Sequence, residues 1–200
     1  ENSVWRFSAG GRDWLVLALE FGPRADVVTW AGGVLAAHPR LPAIIVTHAY
    51  LYDDDTRYDW RVKGLRQDGN PHGYPVAAQP GGVRDGEELW ADLASRHDSV
   101  VLVVNGHVCG DGLGRLRSVT ASDVYKRQGL GRLRSVTASG HGVQQMLVNF
   151  QMLKNGGDGW LRLLDVAADG RTVRVRDYSP TLDQWGEGPD HDFAIDIDLP

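Results

Sequence analysis

The 200-residue chain has one cysteine, Cys109, and two methionines. A single cysteine excludes an intrachain disulfide and leaves the redox compartment unread. No apolar run approaches the roughly 20 residues that span a bilayer, and no signal peptide is recognisable. There is no G-x-S-x-G nucleophile elbow, no phosphate-binding P-loop and no H-E-x-x-H zinc helix. The formal charge of −5, with both signs mixed along the chain, argues against a nucleic-acid partner. The basic residues that do cluster are Arg115, Arg117, Lys126, Arg127, Arg132 and Arg134. With 42% hydrophobic residues, the length suits a single domain over 1–200 with a sizeable core.

Two apolar strands each run straight into a histidine. Ala43-Ile44-Ile45-Val46-Thr47 ends at His48, and Val100 through Gly106 ends at His107. Short β-branched apolar runs read as buried parallel strands. The carboxyl ends of such strands face the crevice where open α/β sheets place ligands. Two imidazoles delivered there can share one metal ion, because neutral imidazole is a common ligand. Gly106, directly before His107, allows close backbone approach. A histidine at a strand end also serves as a hydrogen-bonded structural residue, so that alternative stands beside the metal reading.

The spacing predicts strands over Val4–Ser8 and Trp14–Phe21, joined at Gly10-Gly11 as a hairpin. A helix follows over Ala25–Ala37, closed by Pro39 and Pro42. Strand–helix–strand order suggests a crossover unit. Tyr50–Gly82 is a long loop rich in Asp, Gly, Pro and aromatics, and loops of this length are commonly functional. A second helix is predicted over Glu87–His97, opened by Asp85 or Gly86. Further strands are predicted over Val143–Gln151, Trp160–Val166 and Thr172–Tyr178, the last two joined at Asp169-Gly170. Phe193–Leu199 also alternates at period two. The front half is therefore α/β and the back half mainly β.

Gly112–Ser122 recurs letter for letter at Gly129–Ser139. Structural repeats diverge and have periods of about 20–50 residues, which this pair does not match. The intervening Asp123–Gln128 resembles translated sequencing-adapter read-through, so 112–128 reads as an artefactual insert, with a recent duplication as the alternative. The chain opens without Met and already in strand-like alternation. It is expected to be a fragment, and a secreted or periplasmic location stays open.

Thr47-His48-Ala49-Tyr50 and Asn105-Gly106-His107-Val108-Cys109 resemble the later motifs of calcineurin-like metallophosphoesterases. Leu19–Arg24, Asn70–Tyr74 and Asn149–Arg162 resemble a bacterial branch of that family. The resemblance implies a partial calcineurin-like β-sandwich flanked by helices. It implies hydrolysis of a phosphoester, small-molecule or macromolecular, by metal-activated hydroxide, with two divalent ions (Mn, Fe or Zn) in the intact parent. It puts His48 and His107 on one ion. Cys109 stands where a second histidine binds the other ion; it is either a thiolate ligand or a small buried apolar residue. Arg57, Tyr58 and His72, in the long loop, are candidate substrate-binding residues or ordinary loop packing.

The family's earlier motifs, Asp-x-His, Gly-Asp-x-x-Asp and Gly-Asn-His, are absent. The chain is therefore expected to be the C-terminal part of such a domain, inactive in isolation. No catalytic residue is assigned. The alternative is a non-catalytic ligand- or polysaccharide-binding α/β domain presenting Trp60, Tyr74, Trp185 and Tyr52.

Overall fold

A computed structural model describes residues 2–108 and 129–200. The chain is mixed α/β, built on two sheets. The first contains β1 (Ser3–Ala9), β2 (Arg12–Ala18), β3 (Ala43–Val46), β4 (Val100–Asn105), β5 (Leu130–Val136) and β6 (Gly142–Val148), in the order β1-β2-β3-β4-β6-β5. Its middle, β2 through β4 to β6, is parallel, and β1 and β5 close the edges antiparallel. The second contains β7 (Leu161–Val166), β8 (Thr172–Ser179), β9 (Gln184–Trp185) and β10 (Asp192–Asp196), with β8 central.

Burial divides the core in two. Leu15, Leu17, Ile45, Val103 and Leu147 from the first sheet pack against Val27, Val28, Ala31 and Leu35 of helix α1 (Ala25–Ala37) and Leu89 of a later helix. Trp14, Leu102 and Met146 face the other way and meet Val173, Val175 and Ile197 of the second sheet region. One layer of helices, one mostly parallel sheet and one antiparallel sheet result. In β4 the alternation slips. Val100 pairs with Ala43 while Leu102 pairs with Ile44, and Val101 and Leu102 both join the inter-sheet core. That is a β-bulge, where an extra residue bends the strand.

The α1 range coincides with the apolar stripe read from sequence. The second helix is shorter than predicted. After the four-residue α2 (Trp60–Lys63), α3 covers Gly86–Asp92, and a separate 3-10 turn spans Ala94–Arg96. Leu93 departs from helical geometry with φ −133 and is fully buried. Asp85 opens α3 with a capping box: its carboxylate accepts from Glu88 N, and the Glu88 side chain accepts from Asp85 N. Such a box satisfies two otherwise orphaned helix donors.

The loop after β3 is ordered by burial: Tyr50, Leu51 and Tyr58 are fully covered. The second copy of the duplicated segment supplies β5, paired along its length with β6. The first copy, the linker Asp123–Gln128 and Cys109 lie outside the described residues. No helix among the described residues is long and apolar enough to cross a membrane.

Candidate functional site

His48 and His107 follow the carboxyl ends of two adjacent parallel strands, β3 and β4. Their backbones are tied where Gly106 N donates to the His48 carbonyl, 3.2 Å. The imidazole centroids are 4.7 Å apart. Phe21, just beyond β2, packs on both rings, at 5.7 Å from His48 and 5.2 Å from His107. Tyr74 closes the group, 5.0 Å from Phe21 and 5.9 Å from His107. Three parallel strand ends and one loop thus converge on two imidazoles.

His107 sits in an unusual conformation. Its φ is +70, and Val108 N donates to the Gly106 carbonyl at 2.9 Å. This closes a three-residue γ-turn on a non-glycine residue, a strained form. Such strain concentrates at functional positions, where surrounding structure maintains it. Here the maintenance is visible. His107 Nε2 donates to the Gly69 carbonyl at 2.9 Å, with the Tyr74 hydroxyl at 3.3 Å. A carbonyl can only accept, so the neutral ring carries its proton on Nε2 and its lone pair on Nδ1. Burial pushes the His107 pKa down, the Gly69 bond opposes this, and the nearby His48 adds to the lowering.

Gly69 is specified by the same contact. Its φ is +80, and a Cβ there would lie 2.8 Å from His107 Nε2 and 3.2 Å from the Tyr58 hydroxyl. Asn105 holds the other side. Its side chain accepts from Leu51 N and donates to the Leu51 carbonyl, at 3.1 and 3.0 Å.

Three loop residues were candidates for the substrate pocket, and the structure distributes them. The Tyr58 hydroxyl donates to the Asp68 carbonyl at 2.9 Å; Tyr58 thus backs the Gly69 turn. Arg57 points into the fold. It pairs with Glu87 at 3.0 Å, donates to Ser135 and Gln145 on β5 and β6, and covers the Trp90 ring at 4.7 Å. These contacts tie the loop to the sheet. His72 bonds Glu88 at 2.7 Å and stacks on Trp60.

His72, Asp85 and Glu88 bring three potential donor atoms within 4.8 Å of one another, a group that could hold a cation. Asp85 and Glu88 are already used in capping α3, and the His72 ring is spent on Glu88. Asp85 also accepts from Trp60 N and Asn70 Nδ2. Burial drives the Asp85 pKa up against these bonds.

With this geometry in view, comparison with known proteins gives one distant relation. The uncharacterized Bacillus subtilis protein YvnB is 26% identical over 198 residues. The match covers 96% of this chain and 12% of YvnB. The chain thus spans a small fraction of that protein's length. No family model matches the chain, and no solved structure does.

Sequence reasoning paired His48 with His107 but did not single out Gly69, Phe21 or Asn105 as part of their surroundings. Tyr74 was legible as a member of Asn70–Tyr74 and as an aromatic of the alternative binding surface, not as a neighbour of His107. Asp68-Gly69 has the composition of a turn, yet nothing local says that its carbonyl meets a histidine 38 positions later.

Proposed function

We propose that this chain is the C-terminal part of a metal-dependent phosphoesterase domain, in which His48 and His107 ligate one divalent cation. The observation that carries the reading is the Nε2 bond from His107 to the Gly69 carbonyl. Metal-ligating histidines typically donate their second ring N–H to a carbonyl or carboxylate, which sets tautomer and ring direction. Metal binding requires the neutral ring, and burial favours that form here.

The donor set fits one cation held in part, and it does not fit a two-metal centre. Among the described residues, the His48–His107 pair belongs to no group of three close His, Cys or carboxylate donors. Two neutral imidazoles cannot offset two divalent charges, and a paired site needs bridging anions to hold ions about 3.5–4 Å apart. The remaining ligands are assigned to residues outside the described ones, Cys109 among the candidates. When complete, such a centre supplies Lewis acidity at a phosphoryl oxygen. The described residues orient it: the γ-turn and Gly69 aim His107, and Phe21 shields one side of both imidazoles.

Calorimetric titration of the purified chain with Mn²⁺ and Zn²⁺ tests the assignment. One equivalent is expected to bind, and to be lost in His48→Ala/His107→Ala. The isolated chain is expected not to hydrolyse bis- or mono-p-nitrophenyl phosphate with either metal. Absence of binding refutes the ligand assignment. Metal-dependent turnover that vanishes in the double variant refutes the half-site reading.

A further inference from the structure

A second feature lies on the outer sheet and uses none of the residues around His48 and His107. Between the turn that follows β6 and the loop around β9 lies a groove of about 730 Å3. Phe150 and Trp160 line it from the segment between β6 and β7, and Asp183, Trp185, Glu187 and His191 from the segment around β9. The volume falls in the range of small-ligand sites, which combine aromatic surface with a few placed polar groups.

Trp185 is exposed yet braced. It keeps 49% of its area exposed. Its ring rests 4.7 Å from the cross-strand Tyr178, with the Arg176 guanidinium 4.4 Å over it. The Phe150 and Trp160 centroids are 6.3 Å apart. Ordered indole surface costs little further entropy when a ligand lands on it.

The polar groups are anchored from below. His191 Nδ1 bonds Asp177 at 2.7 Å. Asp177 is fully buried and clamped by Arg162 through bonds of 2.7 and 2.8 Å. That chain fixes the imidazole from its Nδ1 edge and leaves Nε2 as the edge opposite Asp177. The Asp183 carboxylate is held by the Tyr178 hydroxyl at 2.7 Å.

Charge narrows the ligand class. Asp183 and Glu187 stand on the groove wall, and no lysine or arginine is among its described lining residues, which disfavours an anion. The Trp185 ring already carries the Arg176 cation, which disfavours a second cation on that indole. An uncharged ligand with apolar faces and many hydroxyls satisfies both conditions: its C–H faces lie on the indoles, and its hydroxyls donate to the carboxylates and pair with the imidazole. We propose that this groove binds a neutral oligosaccharide.

The test is a titration of the full chain with cellohexaose, xylohexaose and mannohexaose, followed by tryptophan fluorescence and calorimetry. Hexagalacturonate and hexalysine serve as the charged probes. At least one neutral hexasaccharide is expected to bind at about 1 mM or below. Trp185→Ala, at an exposed position, is expected to weaken that binding by about tenfold or more with an unchanged circular-dichroism spectrum. Trp160→Ala, on the segment just before β7, provides an independent second variant. The proposal is overturned if no neutral hexasaccharide binds, if both variants bind like the parent, or if a charged probe binds in preference.

Discussion

Replacing Gly69 by alanine probes the link between the loop and His107 most directly. Gly69 has φ +80, and the new methyl would stand 2.8 Å from His107 Nε2 and 3.2 Å from the Tyr58 hydroxyl. A left-handed backbone costs a residue with a Cβ roughly 1–2 kcal/mol. Displacing His107 sacrifices a hydrogen bond worth about 0.5–1.5 kcal/mol. Alanine also lowers the entropy of the unfolded chain, which returns about 0.4–1 kcal/mol. The net expectation for Gly69→Ala is a loss of about 0.5–3 kcal/mol, or about 1–12 °C in Tm for a chain of this size. Urea unfolding at pH 7 measures the stability. Long-range ¹H–¹⁵N spectra of the imidazoles report the tautomer, expected to be Nε2–H for His107 in the parent and altered in the variant. A variant as stable as the parent, with the Nε2–H tautomer retained, would refute the argument that this glycine exists to let its carbonyl hold His107.

Other expectations follow from the same contacts. Asp177→Asn leaves the Arg162 guanidinium, 6% exposed, without its countercharge; a loss of about 3–5 kcal/mol is expected in urea melts. Burial raises the Asp177 pKa, but the Arg162 and His191 bonds outweigh it and hold the carboxyl below 3.8. This stabilisation is present above pH 3.8 and lost as pH falls through the depressed folded value; parent and Asp177→Asn should therefore converge in stability in strong acid. His107 should titrate below the ordinary 6.5 because of burial. Its contribution is present above pH 6.5 and disappears as pH falls through the folded value, so an NMR titration midpoint at or above 6.5 would contradict the buried neutral ring. Deleting 112–128 should leave Tm within a few degrees, because β5 comes from the second copy; loss of the folded state would show that the first copy is needed.

Much of the architecture is local enough to be legible in the chain. The α1 range follows from an apolar stripe at helical spacing and the prolines beyond it. The turns at Gly10-Gly11 and Asp169-Gly170 follow from residues that accept positive φ, and both join antiparallel neighbours as expected. The apolar runs before His48 and His107 read as buried strands and are parallel neighbours. In each case the deciding energy lies within a few residues: backbone sterics, capping, or burial of one face.

Tertiary structure decided the rest. That β6 lies between β4 and β5, and that β4 bulges at Val101, depends on which strands pair and in what register, and no window of sequence contains both partners. Arg57 looked available to a substrate; its guanidinium instead joins the loop to Ser135 and Gln145, 78 and 88 residues away. α3 ends at the buried Leu93, with φ −133, although no Gly or Pro stands there as a local stop signal. The strained turn at His107 is held by Gly69 and Tyr74 from the long loop and by Phe21 from beyond β2, two segments far from it in sequence. Periodicity and turn chemistry determined which elements form; long-range packing, whose energy exists only once distant residues meet, determined what their ends do.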